Sequence, residues 1–184
     1  MAYDARNRGQ DFSVRVLSRL DLEAQVGSDG ATWLDRELAS ANRTPLAGAG
    51  FGREVSAAMD RRRQSLVKMG HAIRLPDGTV RAPKDILRRL EGAEVAHIGR
   101  EMAAERGLTF RPSNPGEYVS GRLVGMASLA SGHFAMIDDG LVFQLVPWQL
   151  FFAKRIGRHI TGVARDGGSI EWSFGRKRGL EIAT

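Results

Sequence analysis

The chain has 184 residues, 42% of them hydrophobic, enough for the packed cores of one or two domains. It contains no cysteine, which excludes disulfides, thiolate nucleophiles and cysteine-based zinc sites. Its 27 Lys and Arg against 21 Asp and Glu leave a formal charge of +6, which points to acidic partners, nucleic acid first.

Residues 1–11 carry no periodicity and are expected to form a flexible N-terminus. They are too polar for a signal peptide, and no run in the chain approaches the roughly 18 apolar residues of a membrane span. A cytoplasmic protein without membrane insertion is therefore expected. From Phe12 to Gln25, Phe12, Val16, Leu17, Leu20 and Ala24 recur at helical spacing, and Gly27 to Gly30 ends the segment. Ala31 to Ala41 reads as a second, short helix carrying Trp33, Leu34 and Leu38. A third helix, Arg53 to Met69, sets Val55, Ala58, Met59, Leu66 and Met69 on one stripe and stops at Gly70. The segment from His71 to Ala82 is a hairpin around Pro76-Asp77-Gly78, and Pro83 opens a long helix through about Arg106.

Three helices, a hairpin and a helix over residues 12–106 make a winged-helix-like arrangement. Arg74 and Arg81 sit on its hairpin, and Arg61, Arg62, Arg63, Lys84 and Arg88 on the adjoining helices. On such a domain they would hold phosphates without specifying sequence. The alternative is that they are the solvated faces of amphipathic helices, partly paired with Asp60, Asp85 and Glu91.

Residues 107–115, with two prolines, read as a linker to a second domain over 116–180, followed by a short tail, 181–184. Apolar runs at Tyr118 to Val124, Phe134 to Ile137 and Leu141 to Val146 predict three antiparallel strands. The last two are joined by the Asp138-Asp139-Gly140 turn. Pro147 ends the third, Leu150, Phe151 and Lys154 predict a short helix, Ile160 and Val163 a fourth strand, and Ile170, Trp172 and Phe174 a fifth. The fold class expected is α+β, with a small five-stranded antiparallel β-barrel of the oligonucleotide-binding type, or alternatively SH3-like.

Most aromatic residues of so small a barrel must fill its core, while outward ones beside basic residues could stack bases. Trp172 and Phe174 share one face, and the cluster Arg176, Lys177 and Arg178 follows directly. With Lys154, Arg155 and Arg158 these complete a second set of candidate nucleic-acid contacts. Of the four histidines, no two stand at the close spacing of metal ligands, so neither metal nor cofactor is expected. His133 and His159 could reach Asp138, Asp139 or Glu171 for acid/base work, although turn chemistry and strand alternation account for those acids without it.

The strings ASGHFAMIDDGLVFQLVPW and RIGRHITGVARDGGSIEWSFGRKRGL, with LDLEAQVGSDGATWLDREL and REMAAERGLTFRP upstream, resemble the C-terminal, non-catalytic region of conjugative plasmid relaxases, the mobilization nucleases of conjugal transfer. The likeness runs from about Val16 to Leu180. It implies a role in conjugative DNA processing, in which the full-length protein nicks and carries one strand. Relaxases nick with a tyrosine beside a metal held by a histidine cluster. Neither Tyr3 nor Tyr118 has such a pattern near it, so nicking is carried over to no residue here. By this resemblance the chain is expected to be either a C-terminal piece of such a protein or a stand-alone relative of it.

The function expected is an accessory DNA-binding or docking module without enzymatic activity of its own. A hydrolytic or nuclease-type enzyme using His133 or His159 is one alternative. The other is a protein–protein module that recruits the relaxosome to type IV secretion components through Arg176 to Arg178.

Overall fold

The computed structural model describes residues 18–42 and 45–173. Four helices precede the main sheet: α1 (Leu22–Gly27), α2 (Trp33–Ala39), α3 (Phe51–Lys68) and α4 (Ile86–Glu105). Asp21 fixes the start of α1, because its Oδ1 accepts the Ala24 N–H at 2.7 Å. That helix therefore begins at Leu22 among the described residues, while Phe12 to Leu17 lie outside them. Between α3 and α4 the chain makes the expected hairpin, β1 (Ile73–Arg74) with β2 (Val80–Arg81).

The sheet holds β3 (Thr109–Phe110), β4 (Tyr118–Ser128), β5 (His133–Asp138), β6 (Val142–Pro147), β7 (His159–Ala164) and β8 (Ile170–Ser173). A 3-10 turn, Leu150–Lys154, separates β6 from β7. The order across the sheet is β3-β6-β5-β4-β7-β8. β4 belongs to both halves of it: residues 118–122 pair with β7 and residues 122–128 with β5, with a bulge between Leu123 and Gly125. The strand bends at that point, as bulged strands do.

Two features correct the expected barrel. The sheet has six strands and is mixed, because β3, inside the stretch read as a linker, runs parallel to β6. It is also not closed: β8 pairs with β7 and not with β6 among the described residues.

Burial explains the extra strand. Along β5 and β6, Ala135, Ile137 and Val146 face a core shared with Val119, Leu123, Phe152 and Ile160. The alternate residues Phe134, Phe143 and Leu145 face the other way and pack with Ala103, Val95 and Met102 of α4 and with Phe110 of β3. Phe110 lies against Gly99 of α4, where a Cβ would run into its ring. Each large side chain sealed there is worth roughly 1.5–3 kcal/mol, so this sheet face is permanently covered.

Candidate nucleic-acid interface

The basic residues expected to touch phosphates are dealt with differently by the fold. Arg62 is fully buried, because its place on α3 falls on the apolar stripe between Ala58 and Leu66. Its Nε and Nη2 donate to Asp35 at 2.9 and 2.8 Å, Nη1 donates to the carbonyls of Val26 and Ser28 at 3.2 and 2.5 Å, and Nη2 also donates to Gly30 at 2.9 Å. All five N–H groups are thereby engaged. Arg62 is a core residue, which removes it from the expected DNA contacts.

Its neighbours, Arg61 exposed and Arg63 half-buried, are both partnered. Arg61 pairs with Glu23 across to α1, and Arg63 pairs with Asp60 one turn back. Arg88 reaches Asp85 at 3.5 Å, and Arg89 reaches the same carboxylate at 3.0 Å. The hydrogen bond from Arg89 holds the Asp85 carboxyl below its ordinary range. Arg74 donates to the Gly78 carbonyl within its hairpin and shares a hollow of about 440 Å³ with Arg63. Arg81 and Lys84 are exposed at β2 and just before α4.

In the sheet half, Trp172 points inward. It meets Phe152 edge-on at 5.1 Å and Phe151 at 6.4 Å, and it packs on the core formed with Val119, Leu123 and Ile160. It is therefore not the outward stacking residue that its position before the basic cluster predicted. Phe134, Phe143 and Phe152 are buried as well. Arg155 lies over the Phe151 ring at 5.3 Å and donates to the Phe151 carbonyl at 3.0 Å. Lys154 and Arg158 are exposed on the connection from β6 to β7. Phe174, Arg176, Lys177 and Arg178 lie outside the described residues.

What the fold does bring together is the outer face of β4, β7 and β8. Tyr118, Ser120 and Arg122 alternate outward along β4, while Val119, Gly121 and Leu123 turn inward. Arg122 stands opposite His159, Ser120 opposite Thr161, and Tyr118 opposite Val163. Ser120 Oγ lies 3.0 Å from His159 Nε2 and 3.4 Å from Thr161 Oγ1. Arg122 Nε donates to the Gly157 carbonyl at 3.1 Å, which lays its guanidinium beside the connection that carries Arg158. Tyr118 is 70% exposed. The face bears cations, hydroxyls and one bare aromatic ring, and it ends at an ion pair between Arg165 and Glu171.

Tyr118 and Arg122 were not singled out from the sequence as contacts. The alternation Tyr118-Val119-Ser120-Gly121-Arg122-Leu123 was the available signal, since it assigns both to the face opposite the core.

Among the described residues, no three His, Asp or Glu side chains gather closely enough to hold a metal ion, and no helix is long and apolar enough to cross a membrane. No curated protein and no solved structure matches the chain. The family model described as Protein of unknown function (DUF3363) matches residues 1–181, and the chain belongs to that family.

Proposed function

We propose that this chain is an accessory nucleic-acid-binding module of conjugal DNA transfer, with no nicking activity of its own. The observation that carries the binding is the outer face of β4, β7 and β8, where an exposed Tyr118 stands in line with Arg122, whose guanidinium lies beside the connection that carries Arg158. An exposed ring can stack on any base, and the flanking cations follow the phosphate backbone, so the face suits a single strand read with little sequence preference. The setting in conjugal transfer rests on the resemblance to relaxase C-terminal regions.

The strand order supports an oligonucleotide-binding type of barrel opened between β6 and β8, with the 3-10 turn between its third and fourth strands. In that fold the face of the second and third strands commonly receives the ligand. Here α4 covers that face, which leaves the β4–β7–β8 side for a ligand. The helical half keeps a winged-helix-like order of elements, with its hairpin between α3 and α4.

Fluorescence polarisation with a labelled single-stranded oligonucleotide at about 50 mM salt tests the reading, since counterion release makes such binding strongest at low salt. Tyr118→Ala is expected to lose roughly 1–3 kcal/mol of binding and Tyr118→Phe to keep it. No binding by the unaltered chain, or equal binding by Tyr118→Ala, defeats the proposal.

A second reading has one observation in its favour. The Ser120 hydroxyl lies within hydrogen-bond reach of the His159 imidazole, the relation of a nucleophile to its general base. Hydrolysis of a phosphodiester or ester substrate that survives both Ser120→Ala and His159→Ala would dispose of it.

A further inference from the structure

The turn between β4 and β5, residues 129–132, is held by the helical half from several directions. The buried Glu94 carboxylate of α4 accepts the Ala130 N–H at 2.7 Å and the Ser131 N–H at 2.9 Å. Ser131 Oγ accepts the Ala31 N–H at 2.9 Å, and Arg36 of α2 donates to the Ser131 carbonyl at 2.6 Å. This clamp fixes one side of a pocket of about 510 Å³ that opens beside the turn.

Arg19, Arg36, Ser128 and His133 line that pocket. Arg19 Nη1 donates to Ser128 Oγ at 3.4 Å, and Ser128 Oγ lies 3.1 Å from His133 Nδ1. Among the described residues the lining contains no carboxylate. Glu94 is turned to the backbone of the turn, and the half-buried Glu91 interacts with Arg36 from outside the lining. Two guanidinium forks, an imidazole and a hydroxyl thus converge on one hollow whose floor is rigid.

The geometry points to a phosphate-binding site formed by Arg19, Arg36, Ser128 and His133. Guanidinium forks match the tetrahedral oxygens of phosphate with paired, charge-assisted hydrogen bonds, and the hydroxyl and imidazole add further donors. The phosphate is either the diester of a nucleic-acid strand or a free or terminal monoester. The pocket lies at the Ser128 end of β4, away from Tyr118 at the other end, and does not depend on the exposed face described above.

An amide-resolved NMR titration of the full chain with inorganic phosphate tests it. Saturable shifts are expected at Gly132 and His133, with no comparable shift from chloride at matched ionic strength. Arg19→Gln and His133→Gln, both exposed and outside the clamp, should each weaken phosphate binding roughly tenfold, the loss expected for one charge-assisted hydrogen bond, with the thermal midpoint unchanged. Absence of saturable shifts, equal shifts from chloride, or unchanged binding by both variants overturns the site.

Competition then separates the sources. Displacement of phosphate by an oligonucleotide without a terminal phosphate assigns the diester, and displacement by the 5′-phosphorylated form alone assigns the monoester. A titration that succeeds while Tyr118→Ala leaves strand binding intact removes the exposed face and keeps the pocket.

Discussion

Replacing Arg62 by leucine should be among the most damaging single changes in the helical half. The side chain is fully buried and donates five hydrogen bonds, two to Asp35 and three to the carbonyls of Val26, Ser28 and Gly30. Leucine would leave Asp35 with only the Thr32 N–H and hydroxyl, at 2.8 and 2.9 Å, and would orphan three carbonyls. Breaking a buried pair on one side costs about 3–5 kcal/mol, a large share of the roughly 5–15 kcal/mol that keeps a domain folded. For a chain of 184 residues that corresponds to a fall of about 6–20 °C in melting temperature. Urea unfolding followed by tryptophan fluorescence should show a lower midpoint with an unchanged slope. The double variant Arg62→Leu with Asp35→Leu should cost much less than the sum of the singles, because the uncompensated charge is gone. A single-variant loss below about 1 kcal/mol, or strict additivity in the double, would refute the account of Arg62 as a core residue.

Three further outcomes are expected. A Cβ at Gly30 would run into the Glu94 carboxylate, so Gly30→Ala and Glu94→Ala should each destabilise the chain by about 2–4 kcal/mol. Glu94→Ala should then absorb most of the Gly30→Ala penalty, and a double-mutant cycle by urea unfolding measures that coupling. Burial holds the Glu91 carboxyl above its ordinary range, against the opposing pull of Arg36. Because the folded value is the higher one, the ionised form costs stability at neutral pH and that cost disappears below the ordinary carboxylate range. Glu91→Gln should therefore melt higher than the unaltered chain at pH 7, with the difference closing toward about pH 4 in a calorimetric series. Finally, Arg122→Gln and Arg158→Gln should each lower the slope of log affinity against log salt by about 0.7 for single-stranded DNA, while Arg62→Leu, assayed cold where it is folded, leaves the slope unchanged.

The order of elements was legible because helices and strands write their periods locally: the stripe Val55, Ala58, Leu66 for α3, and the Asp138-Asp139-Gly140 turn between β5 and β6. A local signal for Arg62 also existed, since it occupies the gap in that stripe. Charge clustering with Arg61 and Arg63 hid it, and nothing local announced Asp35, 27 positions away, as its partner. The runs Phe134-Ala135-Met136-Ile137 and Phe143-Gln144-Leu145-Val146 do not alternate cleanly between apolar and polar. That is the mark of strands buried on both faces, and it called for a covering element, which α4 supplies. The strand β3 could not be read. It is a dipeptide held by a parallel partner 33 residues further on and by the packing of Phe110 on α4, and a dipeptide has no period.

The helical half shapes the candidate interface mainly by what it takes away. α4 seals the outer side of β5 and β6, Glu94 and Arg36 immobilise the turn after β4, and the helical arginines neutralise themselves against Glu23, Asp60 and Asp85. Such exposed pairs are worth only about 0–1 kcal/mol, so a phosphate could replace their acids. Each replacement would nevertheless return a carboxylate to solvent beside the bound strand, where its repulsion offsets part of the gain. Arg122, by contrast, faces outward from β4 and donates to a neutral carbonyl, Arg158 is exposed on the neighbouring connection, and among the described residues neither is held by a carboxylate. A strand approaching this chain should therefore settle first on the sheet, along Tyr118 and Arg122, and reach the helical arginines only as a weaker extension of that contact.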